Sequence, residues 1–129
     1  MVVDHKNTTG FQTDPETPPI VAIYTSYGNS EPHIQAQSLA ISLDEGMTFE
    51  KFAGNPVLDE DSTSFRDPKV SWHEASQKWV MVAAHSNAQK VGFYGSKNLI
   101  DWEALSTFEI PEWGGVWECP ALIKITQTY

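Results

Sequence analysis

The sequence predicts an all-β fold, a stretch of two to three blades of a β-propeller. Three observations carry that reading. Short runs of β-branched and aromatic residues alternate with turn formers along the whole chain. No segment sustains the apolar stripe of a helix. A weak internal repeat also recurs at about the length of one blade, for which periods of roughly 40 to 50 residues are usual.

Taken in order, the runs predict strands at 20–25, 37–42, 48–52, 68–73, 79–85, 91–96, 102–104 and 121–125. The first is the β-branched stretch Ile20-Val21-Ala22-Ile23-Tyr24-Thr25, and Trp79-Val80-Met81-Val82 is its counterpart later on. Between the runs stand Gly28-Asn29-Ser30, Asp44-Glu45-Gly46, Gly54-Asn55-Pro56, Ser86-Asn87-Ala88 and Lys97-Asn98-Leu99, all of turn character. Ser42-Leu43-Asp44-Glu45-Gly46-Met47-Thr48-Phe49 finds a shortened echo in Ser96-Lys97-Asn98-Leu99-Ile100-Asp101-Trp102. The first copy resembles the Asp-box hairpin turn of sialidase-like propellers: Asp44 can bond turn amides and Gly46 can take a positive φ. A generic β-turn reads equally well there. The antiparallel meanders fill 1–129 as one partial propeller domain, with no second domain or linker visible.

At 129 residues and 14.4 kDa, with 40% apolar and 12% aromatic residues, the chain has enough apolar bulk for a core. Its net charge of −9 makes nucleic acid and anionic membrane poor partners and suits a neutral substrate. The N-terminus lacks the basic-then-apolar layout of a secretory signal. A single cysteine, Cys119, rules out an internal disulfide and a multi-cysteine metal site; the four histidines show no metal-ligand spacing, so neither metal nor organic cofactor is expected. Asn7-Thr8-Thr9 is an N-glycosylation triplet of a kind that also arises by chance.

Two acidic motifs carry the chemistry. Phe65-Arg66-Asp67-Pro68-Lys69 and Trp117-Glu118-Cys119-Pro120 each put a carboxylate at the start of an apolar run, with the prolines 52 residues apart. So placed, the carboxylates could face each other across a central pocket. Arg66 beside Asp67 would keep that carboxylate ionised, and Trp113, Trp117, Cys119 and Pro120 would desolvate Glu118 and raise its pKa toward a general acid's. A structural Arg-Asp pair and an exposed loop glutamate are the plainer readings of each motif alone. Glycoside hydrolysis calls for such a pair, one carboxylic acid to protonate the leaving oxygen and one carboxylate opposite. The tryptophans could stack on sugar rings or simply pack blades.

Ser64-Phe65-Arg66-Asp67-Pro68-Lys69-Val70, with Trp72-His73-Glu74 and Lys78-Trp79-Val80-Met81-Val82 after it, resembles the R-D-P region of glycoside hydrolase family 32, the invertases, inulinases and levanases. Val116-Trp117-Glu118-Cys119-Pro120-Ala121-Leu122 resembles that family's E-C motif, and Val2-Val3-Asp4, Asn7-Thr8-Thr9-Gly10-Phe11 and Val21-Ala22-Ile23-Tyr24-Thr25 resemble its fungal members. The resemblance implies part of a five-bladed propeller that hydrolyses β-fructofuranosidic bonds of sucrose, inulin or levan with retention, from an extracellular location. It implies Glu118 as general acid/base and Asp67 as transition-state stabiliser. Arg66 would share the substrate pocket with Trp117, and Cys119 would tune Glu118. The family's nucleophile, an aspartate in a W-x-N-D-P-N-G stretch, has no counterpart here; Asp4, Asp14 and Asp44 lack its neighbours. The expectation is therefore an internal piece of such an enzyme, inactive alone. A non-catalytic carbohydrate-binding module and a family 43 or sialidase-type propeller are the competing readings.

Overall fold

The computed structural model describes residues 1–125, and in them nine strands form two antiparallel sheets. In the first sheet, β1 (Val2–Val3) pairs with β2 (Ile20–Tyr27), which pairs along its length with β3 (Gln35–Ser42). The far edge of β3 is shared: β4 (Glu50–Lys51) meets it at Ala40 and Ile41, and β5 (Leu58–Ser62) at Gln35 and Gln37. The second sheet is an unbroken meander, β6 (Phe65–His73), β7 (Lys78–His85), β8 (Lys90–Ser96) and β9 (Glu103–Glu109). Four antiparallel strands joined in sequence order are the unit of a propeller blade.

The core lies between the sheets. Val21, Ile23 and Leu39 of the first pack with Phe65, Val70, Trp79, Met81, Ala83 and Tyr94 of the second and with Leu99 from the turn after β8. Inner strands β2 and β6 run against each other, so β6 is held by β7 on one side and by the first sheet on the other. Phe65 opens β6 fully buried, stacked on His85 with centroids 4.8 Å apart and tilted against Tyr94 at 5.7 Å. Burying such a ring stabilises by roughly 1.5 to 3 kcal/mol. At the N-terminus, fully buried Asp4 accepts bonds from the amides and hydroxyls of Thr8 and Thr9, and Trp79 Nε1 donates to Thr8 Oγ1 at 2.8 Å. Asp4 is thus the anchor of a turn, fixed against the second sheet.

The expected strands at 20–25, 37–42, 68–73, 79–85 and 91–96 are present, each extended by one to three residues. Three expectations need correction. Residues 48–52 shrink to Glu50–Lys51, because β3 offers them only two partners before β5 takes over its edge. The strand expected at 102–104 starts one residue later and runs to Glu109. Residues 121–125 form no strand; Leu122, Ile123 and Ile125 are exposed, and no described strand receives their hydrogen bonds. Two strands, β1 and β5, were not foreseen.

The internal repeat is real in three dimensions. After β3, Ser42 Oγ accepts from Gly46 N at 2.8 Å, while Asp44 accepts from the Thr48 amide at 2.9 Å and hydroxyl at 2.6 Å. After β8, Ser96 Oγ accepts from Asn98 N at 3.1 Å, and Asn98 Oδ1 accepts from Ile100 N and Asp101 N at 3.0 and 2.9 Å. Asp44 and Asn98 each hold the turn that follows a strand, Asp44 through the residue four positions on and Asn98 through the amides two and three positions on.

Candidate active site

The site begins with a defect in β6. Arg66 pairs with Ala84 and Lys69 with Val82, so Asp67 and Pro68 together oppose Ala83. Such a bulge kinks the strand and re-aims its side chains. Pro68 has no amide to contribute to a ladder, which makes a bulge one of the few places a sheet tolerates it. Asp67 adopts φ 59°. For a residue with a Cβ this left-handed conformation costs about 1 to 3 kcal/mol and persists only where surrounding contacts hold it.

Those contacts come from the first sheet. Asp67 N donates to Thr25 Oγ1 at 3.1 Å, and Thr25 Oγ1 donates to Gln37 Oε1 at 3.0 Å. Gln37 is fully buried, and its Nε2 donates to the carbonyl of Phe65 at 2.9 Å. Gln35, two residues earlier on the same face of β3, accepts from Arg66 Nη1 at 3.4 Å.

The second motif arrives from the opposite end of the chain. The Trp117 amide donates to Ser86 O at 3.1 Å, fixing the segment against the turn after β7. The two motifs then clasp reciprocally: Arg66 Nη2 reaches Glu118 Oε1 at 3.2 Å, and the Cys119 amide donates to Asp67 Oδ2 at 3.0 Å. Cys119 Sγ lies 3.9 Å from the same oxygen, and Cys119 shares the left-handed backbone of Asp67 with φ 50°. Arg66, Asp67, Glu118 and Cys119 therefore form one cluster. Behind it, burial beside the Lys90 ammonium pulls the His85 imidazole down, and burial beside Glu60 pushes the Tyr94 hydroxyl well up. His85 Nε2 and Tyr94 Oη lie 3.0 Å apart, a neutral pair backing Phe65.

Three expectations about this cluster are corrected. Arg66 turns to Glu118 and not to Asp67, since neighbours along a strand project to different sides. The apolar enclosure of Glu118 is also absent: its side chain is 59% exposed and Trp113 is 74% exposed. An ion pair this open is worth about 0 to 1 kcal/mol, enough to orient the carboxylate and little more. Nor do the carboxylates face each other across a pocket. Glu118 borders a recess of about 370 Å³ lined by Ala84, Val91, Phe108, Trp113, Trp117 and Pro120, to which Asp67 does not contribute. A larger cavity of about 480 Å³ lies beside the Asp44 turn, between Phe11, Leu43 and Phe52, and holds none of the motif residues.

Thr25, Gln35 and Gln37 were not anticipated as part of the site. A signal existed: Gln35 and Gln37 put two amides on the face of the strand that Leu39 and Ile41 continue, and a buried amide needs partners.

The arrangement pairs an exposed carboxyl, able to exchange protons with solvent or a ligand, with a second carboxylate fixed by a backbone amide. An arginine is paired with the first of them. The profile of the Glycosyl hydrolases family 32 N-terminal domain matches residues 1–129. An invertase of Debaryomyces hansenii is 46% identical over 127 residues, covering 97% of this chain and 23% of its own length. An extracellular exo-inulinase of Meyerozyma guilliermondii is 49% identical over 127 residues, covering 97% of this chain and 24% of its own. The fructose complex of the Schwanniomyces occidentalis fructofuranosidase superposes with a TM-score of 0.84 at 49% identity, over 95% of this chain and 24% of that one. The chain thus spans about a quarter of the length of the relatives it matches.

Proposed function

The chain belongs to glycosyl hydrolase family 32, and from that membership we propose that the protein carrying it is a retaining β-fructofuranosidase acting on sucrose or a fructan. Its two sheets are blades of a five-bladed propeller, the fold of the family's fructofuranosidases. The observation that carries the functional reading is the reciprocal clasp, Arg66 to Glu118 and Cys119 to Asp67, which joins two motifs 52 residues apart.

In this mechanism Glu118 protonates the departing glycosidic oxygen while an aspartate from outside these 129 residues attacks the anomeric carbon of the fructosyl unit. Glu118, now a carboxylate, then takes a proton from the water that releases fructose. The exposed position of Glu118 suits both proton transfers, since leaving group and water approach from solvent. Asp67 has one oxygen held by the Cys119 amide, which leaves the other to accept from sugar hydroxyls and to face the positive charge that develops on the ring. Arg66 orients Glu118, and Trp117 lines the recess that Glu118 borders. No cofactor has a part in these steps. Because the M. guilliermondii relative is named as extracellular, secretion belongs to the same proposal.

The test is hydrolysis of sucrose and inulin by the intact protein and its Glu118→Gln variant. Loss of an acid/base group lowers kcat by roughly 10² to 10⁴-fold, with the fold unaffected because the side chain is exposed. Turnover unchanged in Glu118→Gln, or activity on arabinosides or sialosides with none on fructosides, overturns the assignment. Fructan binding without turnover supports the carbohydrate-binding module instead.

A further inference from the structure

We propose that Thr25 and Gln37 are positioning residues for the reaction, a clamp in the first sheet that imposes the left-handed bulge on which Asp67 stands. The inference rests on the reading of Asp67 as the group that faces the fructosyl ring.

The clamp grips the bulge on both sides of Arg66. Gln37 Nε2 holds the Phe65 carbonyl at 2.9 Å, and Gln37 Oε1 accepts from Thr25 Oγ1 at 3.0 Å. Thr25 Oγ1 in turn accepts the Asp67 amide at 3.1 Å. This amide is one that the bulge withholds from the β6–β7 ladder, where Ala83 faces two residues at once. A buried N–H without a partner costs about 1 to 3 kcal/mol. Without Thr25, β6 gains by straightening, Asp67 returns to an ordinary strand conformation, and its carboxylate swings off the Cys119 amide. Gln37 is suited to anchor the clamp because it cannot move: its side chain is fully buried and both ends of its amide are bonded. It is also uncharged, so it sets the geometry of Arg66 and Asp67 without competing for either.

A shape-conserving pair separates this role from mere packing. Thr25→Val keeps the volume and removes the hydroxyl; Thr25→Ser keeps the hydroxyl and loses a methyl group. In the intact protein with sucrose, Thr25→Val lowers kcat on the order of 10- to 100-fold, the effect of a small misplacement at a reacting centre. Thr25→Ser stays within about threefold of the parent, since the bond to Asp67 survives. Gln37→Leu behaves as Thr25→Val. Amide hydrogen exchange gives a readout that needs no activity: the Asp67 N–H exchanges about tenfold faster in Thr25→Val than in Thr25→Ser, while the Val21 and Leu39 amides are unchanged. Equal kcat in the Val and Ser variants, or equal protection of the Asp67 amide in both, overturns the clamp. Should the intact parent hydrolyse no fructoside, the functional reading fails first, and the exchange comparison still decides whether Thr25 holds the bulge.

Discussion

The two sheets are built from the same meander but interrupt it in different places. In the first, β2 and β3 pair without a slip over eight residues, and the irregularity is at the outer edge, where β4 and β5 divide β3 between them. Asn55 bridges that gap, accepting from Leu39 N and donating to Leu39 O, both at 2.8 Å. In the second sheet one irregularity falls on the inner strand, at Asp67 and Pro68, and another where β9 slips by a residue against Phe93 and Tyr94 of β8. A regular inner pair on one side thus faces a bulged strand on the other. Arg66 and Asp67 stand on the bulged strand, and the neutral side chains of Thr25 and Gln37 in the other sheet hold it in place.

The largest effect that bears on this contrast is expected at Phe65, which starts the bulged strand and fills the space between sheets. Phe65→Ala removes a fully buried ring packed on His85 and Tyr94, and should cost about 3 to 5 kcal/mol in chemical denaturation. A cost below about 1 kcal/mol would mean that the second sheet does not need its core to support the bulge. A smaller effect is expected at the outer break. Asn55→Ala leaves the Leu39 amide without its partner, while the Leu39 carbonyl keeps the Phe52 amide at 3.0 Å, and should cost about 1 to 3 kcal/mol. Fructoside turnover below the melting transition should be unchanged, because Asn55 lies on the far edge of β3. Loss of turnover in Asn55→Ala without unfolding would break the separation between structural and functional irregularities.

Much of this architecture is legible in the sequence, and the failures have physical causes. Strands rich in Val, Ile, Ala and Tyr announce themselves because their burial on β2, β3, β7 and β8 demands those residues. Leu58-Asp59-Glu60-Asp61-Ser62 does not read as a strand, since its three acidic residues are poor β formers; it is extended because β3 offers it Gln35 and Gln37. The opposite error occurs at 121–125, where the right residues have no partner strand among the described residues. Both cases show pairing overriding propensity. At the site, the two acidic motifs identify their own members, Arg66, Asp67, Glu118 and Cys119. Which member meets which depends on a one-residue bulge and on where the chain returns after β9, and neither is a local property. Thr25 and Gln37 escape notice because each is an ordinary strand residue until the Asp67 amide needs a partner 42 positions from Thr25.

The smallest effect separates the turns that the two sheets share. Asp44 is held by the Thr48 hydroxyl and amide and by the Ser42 hydroxyl, which together pull its carboxyl down to about 2. Asn98 holds its shorter turn with a neutral amide, accepting from the Ile100 and Asp101 backbone. A carboxyl whose folded pKa is depressed contributes stability that is complete above its unfolded value of about 3.9 and is lost as pH falls toward the folded one. Acidification from about pH 4 to pH 2 should therefore loosen the turn after β3 and spare the turn after β8. Nuclear magnetic resonance can follow both turns in one titration: the Asp44 carboxyl should show a midpoint near 2, and the Thr48 amide should lose protection while those of Ile100 and Asp101 keep theirs. In Asp44→Asn the Thr48 amide should no longer respond to acid, because the first turn then carries the same neutral acceptor as the second. A midpoint near the ordinary carboxyl value, or simultaneous loss of protection in both turns, would show that the two sheets do not hold their turns independently.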